Sequence, residues 1–107
     1  LLWQELKTNT NASLVTTQNI MRRIIENYFN ILGKNVDETI VNSFDTTEDQ
    51  MICRSLISWI NDGSHSIPDD LYIDSYTDSV ERYKQVFKEI FIKMDHKAHY
   101  DMMMANA

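Results

Sequence analysis

The sequence is poor in the residues that build tight turns and cross-links. Its 107 residues include two glycines, one proline and one cysteine, Cys53. So few glycines and prolines leave little room for the turns of an all-β fold. A single cysteine cannot form a disulfide within the chain, and this suits a reducing compartment. We therefore expect a cytoplasmic protein without structural disulfides.

Long apolar runs and an excess of positive charge are missing as well. No apolar stretch approaches the roughly 20 residues that a membrane-spanning helix needs, so we expect no membrane partner. Ten basic residues stand against sixteen acidic ones, for a formal net charge of −6. An acidic chain is repelled by nucleic acid at long range. Any contact with RNA must therefore come from a local basic patch or from a partner.

The sequence does contain strong helical periodicity, and 43% of its residues are hydrophobic, as in globular proteins. The strongest pattern predicts a helix over residues 18–32, with Thr17 as its N-cap and Gly33 as its C-cap. Weaker patterns predict helices over residues 1–7, 36–44, 47–62 and 78–94, with a tail that either continues the last helix or forms a separate one. The helix over 47–62 is predicted to open with a capping box at Thr47.

These patterns together predict an all-α fold: a four- to five-helix bundle forming one domain over residues 1–107. The apolar stripes also predict which side chains are buried. They are Ile24, Tyr28, Leu56, Trp59, Phe87 and Phe91.

Arg22 and Glu26 are four residues apart on the strongest helix, so they stand one turn apart near the edge of its apolar face. One interpretation is an ordinary ion pair, which contributes a few tenths of a kcal/mol on a helix surface. The other is a functional pair. Together with a histidine, an arginine and a carboxylate are sufficient for RNA cleavage without a metal ion.

Three histidines could supply such chemistry. His65 follows a short polar turn that could hold an acid or a base, although it could also be an incidental loop residue beside C-cap chemistry. His96 and His99 share a helix face if the tail is helical, but a zinc site needs a third and a fourth ligand, and no His-Glu-x-x-His motif is present. We therefore expect these two histidines to bind no metal. Neither nucleotide-binding glycine motif occurs, so we expect no cofactor in this chain.

Several stretches of the sequence resemble one known family. Residues 18–29, residues 54–65 followed by 69–72, and residues 96–104 are similar to the C-terminal region of bacterial SMC-like or ABC-like ATPases grouped with the PrrC and RloC anticodon nucleases. Residues 1–6 resemble the stretch that follows the ATPase core in those proteins. The resemblance covers nearly the whole chain, with its motifs in the same order.

The resemblance implies a helical domain similar to the HEPN superfamily of metal-independent ribonucleases, at the C-terminal end of a longer ATPase. Carried over by motif, the proposed catalytic set of the anticodon nucleases falls on Arg22, Glu26 and His65. The implied partners are RNA, with tRNA as a candidate, the ATPase core of the parent protein, and a second copy of the chain. ATP and magnesium are implied for the parent protein only.

Two functions are open on this basis. The first is an RNA endonuclease that acts in antiphage or stress defence and is gated by the ATPase. The second is a non-catalytic helical module for dimerisation or for contact with a partner. The acidic charge favours the second, as does Asn61, which stands where the more usual HEPN signature often has an arginine.

Overall fold

The structure is a computed structural model that describes residues 2–8, 13–33, 36–62 and 77–107, with side chains for 2–8, 13–33, 36–57 and 80–107. Those residues form six α-helices and no strand, which confirms the all-α prediction. The helices are α1 (Leu2–Thr8), α2 (Leu14–Ile31), α3 (Glu38–Asn42), α4 (Thr47–Asp62), α5 (Thr77–Lys93) and α6 (Lys97–Asn106).

Two helices begin at different caps from those predicted. The Ser13 hydroxyl accepts the N–H of Thr16 at 3.2 Å, so α2 starts one turn before Thr17, which is buried inside the helix. The Thr46 hydroxyl accepts the N–H of Asp49 at 3.1 Å, so Thr46 and not Thr47 caps α4. Several neighbouring residues could serve as caps in each case, and local sequence does not distinguish between them.

Left-handed residues mark two helix ends. Gly33 follows α2 with φ 66°, as predicted from its C-cap position. Asp95 follows α5 with φ 65°, and its N–H donates to the Ile92 carbonyl while the N–H of His96 donates to the Phe91 carbonyl. These two bonds form a Schellman motif, which short polar residues such as Asp can support in place of glycine. The tail therefore forms a separate helix, α6.

The core is built on the apolar faces of α2, α4 and α5. Ile24, Leu56, Phe87 and Phe91 are each no more than 2% exposed, as predicted. Tyr28 is half-buried, and the side chain of Trp59 lies outside the described residues. The short helix α1 adds Trp3 and Leu6 to this core.

Polar contacts hold the ends of the helices. The Lys7 ammonium donates to the Met104 carbonyl at 2.7 Å, which joins α1 to the C-terminal end of α6. Arg54 pairs with Glu38 at 2.9 Å and Arg82 with Asp49 at 2.9 Å, which join α3 and α5 to α4. Such exposed pairs contribute little to stability, so burial of the apolar faces carries most of the fold. Within the described helices, none is both long enough and apolar enough to cross a membrane.

Truncating the centre of the core should unfold much of the domain. Phe91 is fully buried, and we expect Phe91→Ala to lower the free energy of unfolding by about 3–5 kcal/mol. Ile31→Ala is the matched control: Ile31 is 83% exposed, so its truncation should cost less than about 0.5 kcal/mol. Urea denaturation of both variants measures the difference, and equal losses would contradict this description of the core.

Candidate functional site

Arg22 and Glu26 lie one turn apart on α2, but they do not form the surface ion pair that one interpretation predicted. Arg22 is 4% exposed and Glu26 is half-buried. Among the described side chains, no ion pair joins the two. Charged side chains are rarely buried to this extent, because removing an ion from water is costly. The buried position of Arg22 therefore requires an explanation other than surface solvation.

His65, the third predicted catalytic residue, lies outside the described residues. Its grouping with Arg22 and Glu26 therefore stays a prediction.

Buried polar side chains are concentrated in the first half of α2. Thr17, Gln18 and Arg22 are 3%, 0% and 4% exposed, whereas the buried side chains from Ile24 to the end of the helix are apolar. Neither Gln18 amide atom has a hydrogen-bond partner among the described residues. The sequence analysis did not single out Gln18. The sequence feature that could have identified it is its position: Gln18 lies four residues before Arg22, on the helix face that continues with Met21 and Ile25.

A second feature, an open groove, lies at the other end of α2. Its volume is about 390 Å³, and α1, α2 and α6 all contribute to its walls. The lining is mostly apolar, and Ile31 at its edge is 83% exposed. It consists of Leu2, Trp3, Ile24, Asn27, Tyr28, Ile31 and His99. A groove of this size and character is typical of a binding surface.

Two histidines and a tyrosine meet beside this groove. The Tyr28 hydroxyl is 2.7 Å from Nδ1 of His96, and the Tyr28 ring stacks on His99 with 3.9 Å between ring centroids. The turn at Asp95 brings both histidines back against α2. Burial lowers the pKa of His99, and the nearby His96 lowers it further. Burial also raises the pKa of Tyr28, so burial favours the neutral forms of both Tyr28 and His99.

Metal ligands are not grouped in the part of the chain that the structure describes. No set of three or more His, Cys, Asp or Glu residues there could hold an ion. Nδ1 of His96 is engaged by Tyr28, and the ring of His99 is covered on one face. The expectation that these histidines bind no metal stays a prediction.

Cys53 is not placed to act as a nucleophile. It is fully buried in α4, and burial raises the pKa of its thiol to about 12, with the charge of Glu38 as a further cause. A thiol with this pKa stays protonated at neutral pH and is therefore unreactive.

Comparison with known proteins identifies one family. The family described as AAA domain matches residues 1–92 and so includes α1 to α4 and nearly all of α5. Helix α6, with His99, lies beyond the matched residues. No curated protein and no solved structure matches the chain. The match links the chain to ATPases, although neither nucleotide-binding glycine motif occurs in its sequence.

The histidine cluster predicts a specific pH response. His99 should titrate below its ordinary value of 6.5, and His96→Asn should move that midpoint back towards 6.5 by removing a neighbouring positive charge. NMR titration of the imidazole protons measures both.

The same shift has a consequence for stability. The unfolded chain binds a proton at His99 near pH 6.5, before the folded chain does, so stability should fall as the pH drops below about 6.5. His99→Phe keeps an aromatic ring against Tyr28 and should lose this part of the pH dependence. A His99 midpoint above 6.5 would contradict the assignment.

Proposed function

We propose that this chain, which belongs to the AAA domain family, is the C-terminal effector domain of a longer ATPase and cleaves RNA without a metal ion. The family match supports association with an ATPase. Since neither nucleotide-binding glycine motif is present, ATP and magnesium would be bound by the core of the parent protein. The domain would act in the cytoplasm in antiphage or stress defence, with the ATPase gating its activity.

The single observation that carries the nuclease proposal is the state of Arg22. An arginine on the surface of a helix usually keeps its guanidinium in water. Arg22 is instead 4% exposed. Buried charge is typical of functional sites, where its cost is balanced by its action on a substrate. Structural buried networks also hold charges, and the experiment below separates the two explanations.

The proposed chemistry is the transfer of the RNA phosphodiester to the neighbouring 2′-hydroxyl. His65 takes the proton of the 2′-hydroxyl, and the 2′ oxygen forms a bond to phosphorus. Arg22 stabilises the charge of the phosphorane. The bond to the 5′ oxygen then breaks, and that oxygen takes a proton from the site, where Glu26 acts as donor or orients the donor. The products are a 2′,3′-cyclic phosphate and a 5′-hydroxyl, so no metal or oxidant is needed.

A homodimer would bring two sets of these catalytic residues together, one from each copy of the chain. RNA, with tRNA as a candidate, would then approach a surface of an acidic chain. The net charge of −6 means that exposed cations such as Arg23, or the ATPase core, have to provide most of the attraction, because Arg22 is buried.

Substitution of the proposed catalytic residues in the parent ATPase tests this function. Arg22→Lys keeps the positive charge but loses the planar fork of the guanidinium, and we expect roughly a hundred-fold or greater loss of RNA cleavage. Glu26→Gln and His65→Gln should each cause a comparable loss. The measurement is cleavage of labelled tRNA and total RNA by the purified ATPase, with mapping of the product ends.

Arg23→Lys is the matched control, because Arg23 is the next residue on α2 and is exposed. It should keep nearly full cleavage. Thermal unfolding of each variant separates catalysis from stability. If Arg22→Lys lowers the unfolding temperature and leaves cleavage intact, Arg22 has a structural role and the nuclease proposal fails.

The groove supports a second candidate function, contact with the ATPase core. An exposed isoleucine beside Leu2, Trp3 and Tyr28 is typical of a partner surface. Two walls of the groove come from α1 and α2, and residues 1–6 resemble the stretch that follows the ATPase core. The core would therefore stand next to α1. In this function the domain is a non-catalytic module that docks on the ATPase or contributes to its dimer.

A charge placed in the groove should weaken that contact. Ile31→Lys should reduce the affinity of the chain for the isolated ATPase core at least ten-fold, because a lysine would have to be desolvated on docking. Val15→Lys is the control: Val15 is 46% exposed and lies roughly 160° away around α2, taking about 100° per residue. Isothermal titration measures both. Equal effects of the two variants would exclude the groove as the contact surface.

A further inference from the structure

Gln18 occupies a position where the fold itself favours an apolar residue. The core-facing row of α2 continues from Gln18 to Met21, Ile25 and Phe29, at helical spacings of three and four. All four side chains are no more than 1% exposed. Three of them are apolar, and a methionine or leucine at residue 18 would complete the row.

The Gln18 amide makes this position costly. Its oxygen and its nitrogen both lack a hydrogen-bond partner among the described residues. A buried amide that gives up its bonds to water without replacing them destabilises the folded state. Gln50, the matched case on α4, is half-buried, and its amide nitrogen donates to the Phe44 carbonyl at 3.0 Å. The described residues therefore provide a hydrogen-bond partner for the amide of Gln50 but not for the amide of Gln18.

The place of Gln18 on α2 indicates what its amide could serve. Residues four apart on a helix are neighbours on one face, so Gln18 stands one turn below Arg22. Both are buried, and both belong to the group of buried polar residues in the first half of α2. Because Gln18 is fully buried, it cannot touch RNA directly. It can act only through a neighbour, and Arg22 is the charged neighbour on its face.

We infer that Gln18 is a positioning residue for Arg22, with its amide oxygen accepting a guanidinium N–H when the site is engaged by RNA. This inference rests on the proposed nuclease function. The bond is absent in the structure as it stands, since the Gln18 oxygen has no partner there. It forms as Arg22 turns towards the charge that develops on the phosphorane. The unsatisfied amide oxygen is thus a cost of the unloaded state that the reacting complex removes.

The experiment compares one substitution at two glutamines. Gln18→Met removes the unsatisfied amide and keeps the length of the side chain. We expect it to raise the unfolding temperature of the chain by about 4–8 °C. In the intact ATPase it should lower kcat for RNA cleavage about a hundred-fold with little change in KM, because the interaction matters mainly in the transition state. Gln50→Met should lower the unfolding temperature and leave kcat unchanged.

Gln18→Glu provides the rescue. It retains an acceptor oxygen for Arg22, so it should recover most of the kcat that Gln18→Met loses, even if its folded state is less stable. If Gln18 were merely structural, kcat would instead rise and fall with the unfolding temperature in Gln18→Met, Gln18→Glu and Gln50→Met.

Each other result overturns the inference in a recognisable way. If Gln18→Met keeps full kcat while Arg22→Lys loses it, the nuclease proposal stands and the role of Gln18 fails. If Gln18→Met lowers both the unfolding temperature and kcat, Gln18 is structural. If neither the wild-type ATPase nor any variant cleaves RNA, the nuclease proposal itself fails, and the inference fails with it.

Discussion

The aromatic contacts around Phe91 are the constraint on which the rest of the structure depends. The ring centroids of Trp3, Tyr28, Phe29 and Phe87 lie within 5.3–5.6 Å of it. This one side chain of α5 therefore joins α1 and α2 to the core. Its carbonyl also accepts the N–H of His96, in the turn that starts α6. Phe91 therefore both packs the core and fixes the turn from which α6 starts. The groove exists because α1 and α6 are both held next to this residue.

The two halves of α2 lie in different environments. Its first half buries Gln18 and Arg22, and its second half presents Tyr28 to an aromatic cluster and an open groove. Taking about 100° per residue, Ile24, Tyr28 and Ile31 of the groove lie roughly on the opposite side of α2 from Arg22 and Glu26. A catalytic site and a docking surface could therefore share this helix without overlapping. The nuclease proposal and the contact proposal are compatible for that reason, although each can fail alone.

The cost of the polar half of α2 is the strongest argument that it has a function. An arginine and a glutamine in the core do not stabilise a helical bundle as well as apolar residues of similar size would. Natural sequences tend to be locally consistent with their fold, and departures occur at functional sites. The departure here is confined to residues 17–22, next to a row that is otherwise regular. The aromatic half carries no comparable cost, because the Tyr28 hydroxyl has a partner in His96.

Much of the fold follows from local pattern. Helical periodicity predicted the helices, most of the buried side chains and the C-cap at Gly33, since these depend on the spacing of apolar residues and on backbone freedom at glycine. The caps at Ser13 and Thr46 were missed because neighbouring hydroxyl residues are equivalent cap formers in isolation. Candidate catalytic residues came from spacing and resemblance, and the structure describes two of the three. The grouping of all three is a question of long-range geometry that spacing does not address.

The sequence by itself determined the all-α class, the helical segments and the placement of Arg22 and Glu26 one turn apart on one helix, because each of these depends on residues within about two turns of one another. Only the tertiary structure decided that Arg22 is buried, that Gln18 lacks a hydrogen-bond partner among the described residues, and that His96 and His99 meet Tyr28. These contacts join residues up to 71 positions apart, from Tyr28 to His99. Burial and long-range contact depend on how whole helices pack, and periodicity reports only which face of each helix is apolar.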